Sequence, residues 1–369
     1  MYLKILIERK EFEKAMALLE GPAAKSYNLW LEHRQARMKV HWAAGNLEAV
    51  VSILLSILKT NFDIVHTTDF QSVYNMHETL ITVLVKLLDE VTPDYLETVM
   101  AAEDGPVPEF TTASETIVKL LGAFRVSAKY NPADKSVNGH NCRKSGILSE
   151  MLLWHKLLMR CPSTTPYKFF MGPLKSELDL FTEVSSLVFD IGPYLAAYVT
   201  DNESKTDLLK HFEGLVEAKE DPTRKCRAIM NLHKLKHYMN MFELEEQTKL
   251  LQTLYFDNLK LDGKPEKGER KIADDFVLLI AELWFTHSHP EKELYCIGLL
   301  EYALRISPYN FDIQMALVRI YDRMGLTTSF AGAHKELDLK GVLLDSLGYL
   351  QFRHSVEYGA FESLLRPFS

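Results

Sequence analysis

Cysteine is scarce in this chain. Only Cys142, Cys161, Cys226 and Cys296 occur among 369 residues, scattered and without a CxxC pair. That spacing excludes a disulfide framework and a cysteine-based zinc module, and it fits a reducing compartment. Glycine (17) and proline (14) are low for the length, which disfavours a turn-rich β protein. Long apolar runs are missing too. The longest, near Phe276–Phe285, is interrupted by Glu282 and is too short to cross a bilayer. The N-terminal MYLKILIERKEFEK turns charged too early for a signal-peptide core. With a mean hydropathy of −0.09, the expectation is a cytoplasmic chain without membrane contact. Neither sign of charge dominates: 42 Lys and Arg face 50 Asp and Glu, a net −8. Such a balance exerts no global pull on DNA or anionic lipid.

Catalytic signatures are missing as well. The chain contains neither GxxxxGK[ST] nor GxGxxG, and no GxSxG elbow. An acetyl-CoA site of the GNAT type needs a strand followed by a glycine-rich turn at a helix N-terminus. Met324-Gly325-Leu326 and Lys144-Ser145-Gly146 come nearest, and neither follows a strand pattern. The expectation is a non-enzyme with no catalytic residue, cofactor or metal.

What is abundant is apolar side chain, 47% of residues, spaced at three and four as in helices. Ala36, Val40 and Ala43 share one face; Gly45-Asn46 breaks the helix and Leu47 to Leu58 forms the next. Glu11-Phe12-Glu13-Lys14-Ala15 echoes Asn46-Leu47-Glu48-Ala49-Val50 about one repeat earlier. The clearest echo lies near the C-terminus, where four pairs stand 34 residues apart: Leu283 and Leu317, His287 and Tyr321, Cys296 and Phe330, Ala303 and Leu337. That period and the helix–turn–helix unit belong to tetratricopeptide-like arrays. Pro308 ends one unit, Asn310 caps the next helix and Gly325 stops it. The fold class expected is all-α, a right-handed superhelix of degenerate tetratricopeptide-like helical hairpins, or α-solenoid. It forms one array over 1–369, with N-terminal hairpins in 1–100, a central helical region in 113–260 and C-terminal repeats in 272–369. Breaks are expected at Glu103–Pro106, Tyr130–Gly146, Cys161–Pro166, Thr200–Lys205 and Leu261–Lys271.

Two clusters invite a chemical reading. His233 and His237, at i and i+4, could ligate zinc from one helix face, but Lys234 stands where a hydrolytic motif needs Glu. A solvated helix face is the better account. His287 with His289, and His140 with Cys142, have no partner ligand nearby in sequence. The second cluster is basic: Arg224, Lys225, Arg227, Lys234 and Lys236. It reads as a patch for an acidic partner or ribosomal RNA, or, more simply, as the solvated face of an amphipathic helix.

The last hundred residues resemble a known family. SPYNFDIQMALVRIYDRMG, then HKELDLKGVLLDSLGYLQF, is similar to the auxiliary subunit of the NatB N-terminal acetyltransferase. Ser307, Pro308, Asn310, Leu317, Arg319, Ile320, Tyr321 and Gly325 match the family's first stretch. Leu337, Lys340, Asp345, Leu347 and Gly348 match its second. Ser346 replaces a Thr, Tyr349 stands near a usual His, and Met324 stands in for Leu. FFMGPLKSELDL resembles a third element through Gly172, Pro173, Leu178 and Leu180, with Met171 in the place of an Arg. Family members are longer, and this chain corresponds to their middle portion.

The resemblance implies a non-catalytic scaffold. It would surround a small GNAT-fold catalytic acetyltransferase subunit and help dock it on the ribosome. The complex acetylates the N-terminal Met of nascent chains beginning Met-Asp, Met-Glu, Met-Asn or Met-Gln. Tyr309, Phe311, Arg319 and Tyr321 are anchor-like types for contact with the partner or for repeat packing. The alternative is a general tetratricopeptide-like adaptor for another protein or peptide client.

Overall fold

The computed structural model describes residues 2–21, 30–64, 70–129, 139–162, 167–261, 271–287, 289–337 and 342–358. Side chains are described over the same stretches except at 30–32, 60–64, 70–73, 139–142, 167 and 342–347. The charged stretch 262–270, Lys340, and the side chains of His140, Cys142, Asp345 and Leu347 therefore lie outside the described residues.

Among the described residues the regular elements are eighteen helices and no strand. They are α1 (Tyr2–Glu8), α2 (Phe12–Glu20), α3 (Trp30–Ala43), α4 (Leu47–Ile64), α5 (Phe70–Leu87), α6 (Pro93–Met100), α7 (Ala113–Ala128), α8 (Gly139–Leu158) and α9 (Tyr167–Phe181). There follow α10 (Leu187–Tyr198), α11 (Asn202–Glu217), α12 (Pro222–Tyr238), α13 (Leu244–Asn258), α14 (Asp274–Thr286), α15 (Lys292–Ile306), α16 (Phe311–Met324), α17 (Thr327–Glu336) and α18 (Val342–Tyr358). The protein is all-α, as its periodicity predicts. Two compact units result: Met1–Phe181 with Phe189–Ser204, and Thr182–Val188 with Lys205–Ser369.

Within each unit the packing is mostly sequential. In the first, α1 to α5 pack in series, α6 to α9 do likewise, and α5 also meets α7 and α8. In the second, α13 to α18 pack in series, with α12 on α14 and α14 on α16. Contacts between neighbours and next neighbours are those of a helical-repeat array. The 34-residue echo is physical. Leu283 and Leu317 are buried on α14 and α16, Cys296 and Phe330 on α15 and α17, and Ala303 and Leu337 near the ends of α15 and α17. α14–α15 and α16–α17 are thus successive hairpins of one repeat. The fourth pair departs from it. α14 ends at Thr286, so His287 is an exposed cap residue while Tyr321 is buried inside α16.

Turn chemistry sets the helix ends. Thr92 and Thr112 accept hydrogen bonds from the backbone N–H of Tyr95 and Glu115 at the starts of α6 and α7. Asp221 does the same for Arg224 N–H ahead of Pro222. These side chains satisfy donors that a helix start leaves unpaired. Arginines serve the opposite ends. Arg160 donates to the carbonyls of Val85, Leu88 and Asp89 as α5 finishes. Arg125 Nη1 donates to Met100 O and Ala102 O at the end of α6, while its Nε pairs with Glu150. A cation there also opposes the helix dipole.

Two expected breaks are shorter than the sequence indicates. α8 begins at Gly139 and runs straight through Gly146. The polar stretch reads as a loop, but packing against α7 stabilises the helix. A Cβ at Gly146 would lie 2.6 Å from Phe124 O and 2.9 Å from Ala128 N, so the glycine allows close backbone approach. Likewise α11 begins at Asn202, because Asp201 accepts from Ser204 N–H at 2.7 Å. Gly146→Ala is expected to cost about 1–3 kcal/mol through overpacking. Thermal unfolding checks this, and an unchanged midpoint would show that α7 and α8 can separate freely.

Candidate partner-binding site

The motif that carries the family resemblance sits at the joint between α14, α15 and α16. Asn310 caps α16, its side-chain oxygen accepting from the N–H groups of Asp312 and Ile313 at 3.0 and 3.2 Å. Its amide nitrogen donates to Asp274 Oδ2 at 2.7 Å. Ser307 Oγ donates to Asp274 Oδ1 at 3.0 Å, and Lys271 N–H donates to Oδ2 at 3.1 Å. Asp274, Ser307 and Asn310 are all buried. Burial pushes the Asp274 carboxyl above its ordinary range while the hydrogen bonds from Asn310 and Ser307 pull it down. Gln314 donates to Pro308 O at 2.9 Å. The Ser-Pro-x-Asn pattern is therefore an internal clamp that ties the α15–α16 turn to the first residue of α14. At the far end of α16, Gly325 is left-handed at φ 67°, and its α-carbon lies under the Tyr358 ring, where a Cβ would come within 2.9 Å.

The four anchor candidates separate. Tyr321 is buried, and its hydroxyl donates to Glu301 Oε1 at 2.6 Å, so it ties α16 to α15. Tyr309 and Phe311 are exposed at 45% and 39% on the α15–α16 turn, and Arg319 is exposed on α16. Sequence reading missed Phe256 and Tyr302. Their rings meet edge-on at 6.1 Å, and each is about half exposed. Helical phase could have found Phe256: Leu251 and Tyr255 mark the buried stripe of α13, and Phe256 falls one step off it. Tyr349, Phe352 and Val356 are exposed along one side of α18.

The histidines of α12 do not form a solvated face, and here the structure corrects the sequence reading. His233 is buried, its Nδ1 hydrogen-bonded to the Gln247 amide at 2.6 Å. Burial pushes it down to about 4, so it is neutral at neutral pH. His237 is largely covered, with Nε2 3.7 Å from Glu282 Oε1 and its ring against Phe242 and His287. α12 carries its neighbours on two sides, which a wheel drawn from sequence alone does not show. Among the described residues, no three His, Cys, Asp or Glu side chains are placed to hold a metal.

The basic residues of the same helix are interleaved with acids. Arg224 lies 3.8 Å from Glu183, and Lys236 lies 2.9 Å from Glu213. Lys225 and Lys234 are half-buried and Arg227 is exposed. No described helix is long and apolar enough to cross a membrane.

Fold and surface together define a helical-repeat protein with exposed aromatics on its second unit and a buried polar clamp. Residues 176–369, more than half of the chain, match the family described as the N-acetyltransferase B complex (NatB) non catalytic subunit. The chain belongs to that family of non-catalytic subunits. It is 27% identical over 131 residues to N-alpha-acetyltransferase 25, NatB auxiliary subunit, of Mus musculus, covering 34% of this chain and 14% of the relative. The Homo sapiens protein of that name is 26% identical over the same length and shares. Phagocyte signaling-impaired protein of Aedes aegypti is 32% identical over 100 residues, 26% of this chain and 10% of the relative. The matched region thus spans about a seventh or less of these relatives.

Proposed function

We propose that this chain acts as a scaffold subunit of NatB, holding a small GNAT-fold catalytic acetyltransferase at the ribosome in the cytoplasm. The complex would acetylate the N-terminal Met of nascent chains beginning Met-Asp, Met-Glu, Met-Asn or Met-Gln. The observation that carries this reading is the family match over residues 176–369, which includes the whole clamp joint and the exposed Tyr309 and Phe311 that flank Asn310. Tyr309, Phe311 and Arg319 are the partner contacts in this proposal: half-exposed aromatics and an arginine are the side chains that anchor protein interfaces. Tyr321 belongs to repeat packing. The α12 cations are not assigned a ribosome contact, because Glu183 and Glu213 engage two of them.

Affinity purification of the tagged full chain, followed by mass spectrometry, tests the reading. A small acetyltransferase should co-purify, and the isolated chain should transfer no acetyl group from acetyl-CoA to a Met-Asp peptide. Phe311→Ala combined with Arg319→Ala should reduce recovery of the enzyme by about tenfold or more while leaving the unfolding midpoint in place. Recovery of other clients without an acetyltransferase would favour the adaptor instead, and acetyl transfer by the chain alone would overturn the scaffold role.

A further inference from the structure

The first unit holds a cluster of buried ionisable groups with no part in the proposed scaffold contacts. Three helices supply it: Lys144 from α8, Glu177 from α9 and Asp190 from α10. Lys144 Nζ lies 2.6 Å from Asp190 Oδ2, and these side chains are only 12% and 14% exposed. Glu177 is fully buried, and neither of its carboxyl oxygens has a hydrogen-bond partner. One cation cannot compensate two buried carboxylates, and an ionised carboxylate without a donor is strongly disfavoured away from water. Asp190 holds the cation. Glu177 is left with one way to relieve the burial, which is to keep its proton.

We propose that Glu177 is a buried acid kept protonated at neutral pH by the folded unit, and that its ionisation loosens the α8–α9–α10 packing as a pH-sensitive latch. The surroundings agree. Burial is the main influence on Glu177, opposed by Lys144 and reinforced by Asp190, and together they push the carboxyl up to about 8. α5 brings Tyr74 and Glu78 to the same cluster: the Tyr74 and Tyr194 hydroxyls are hydrogen-bonded, and the Glu78 charge acts on both. Burial raises both phenols above their ordinary range, so Glu177 is the group that ionises first. The sign follows from proton linkage. Between an unfolded value of 4.5 and a folded value of about 8, the folded unit retains a proton that the unfolded chain has lost. Its stabilisation is complete below 4.5 and disappears as pH rises through 8.

Hydrogen–deuterium exchange of the full chain, read on peptides from α8, α9 and α10 and corrected for the intrinsic exchange rate, tests the latch. The opening equilibrium should rise about fivefold from pH 7 to pH 8 and then flatten. Glu177→Gln should abolish the rise and open less than wild type at pH 8. Asp190→Asn should abolish it too, because Lys144 is then released to pair with an ionised Glu177. A Glu177→Gln protein with the wild-type slope would place the proton elsewhere. An unchanged slope in Asp190→Asn would overturn the account of two carboxylates competing for one cation.

Discussion

Asn310→Ala is expected to lower the stability of the second unit by about 3 kcal/mol. Two losses add. The cap on α16 is removed, which costs about 1 kcal/mol. The buried Asp274 carboxylate also loses its shortest donor, the Asn310 amide at 2.7 Å, and a charged acceptor stripped of a donor costs a further 1.5–3 kcal/mol or so. Trp284 is the one tryptophan of the second unit and lies on α14, the helix that begins with Asp274. Its fluorescence during urea unfolding therefore reads the effect directly. Asn310→Asp separates the two contributions. It retains a capping oxygen but sets a second carboxylate against Asp274, so it should be worst at neutral pH and recover toward pH 4. Combining Asn310→Ala with Asp274→Ala should cost less than the sum of the two, because the charge needing the donor is gone. A loss below 1 kcal/mol in Asn310→Ala, or strict additivity in the double variant, would show that the clamp does not hold the joint.

His77 should take about 2 kcal/mol from the first unit by pH 5, set against the stability that Glu177 adds over the same range. His77 is fully buried between α5, α7 and α8, its Nδ1 2.7 Å from Ser149 Oγ and 3.2 Å from Ser145 Oγ. Its ring lies against Phe124 at 4.9 Å, and its Nε2 is buried without a partner. A proton added there would create a cation with no acceptor, and burial pushes the imidazole from 6.5 down to about 3. Between those values the unfolded chain binds the proton and the folded chain does not, so stability is full above 6.5 and falls as pH drops. Each pH unit in that window costs about 1.4 kcal/mol, which comes to about 2 kcal/mol by pH 5. His233 acts the same way in the second unit, over the narrower window from 6.5 to about 4. In a Glu177→Gln background, which removes the opposing contribution, His77→Leu should flatten the acid limb of the first unit and leave that of the second alone. Unit-resolved exchange protection between pH 7 and 5 measures this, and an unchanged acid limb in His77→Leu would remove the histidine from the account. Glu177 acts with the opposite sign between 4.5 and about 8, so in the wild type the two contributions offset one another from 4.5 to 6.5, and stability falls above that window through Glu177 and below it through His77.

Much of this was legible in the sequence because helices announce themselves locally. The three-and-four spacing, the Asn310 cap and the Gly325 stop depend on residues within one or two turns of each other. The 34-residue period exposed equivalent buried positions such as Leu283 and Leu317, because each hairpin presents the same face to the next. The Ser307–Gly325 stretch carried the family. Its chemical role was hidden, since Asp274 lies more than thirty residues before Ser307 and Asn310 and meets them only when α14 packs beside the turn.

The sequence by itself determined the class of element, the repeat and the family, all of which rest on near-neighbour patterns. Tertiary structure decided the rest. It placed a polar stretch around Gly146 in a helix, because α7 approaches too closely for any Cβ. It buried His233, which a single helical wheel leaves in solvent, because α12 is covered on more than one side. It also gave Lys144 to Asp190 and left Glu177 without a partner. Burial and charge compensation are properties of how distant helices meet, and no local pattern of residues encodes which of two carboxylates will hold the single cation.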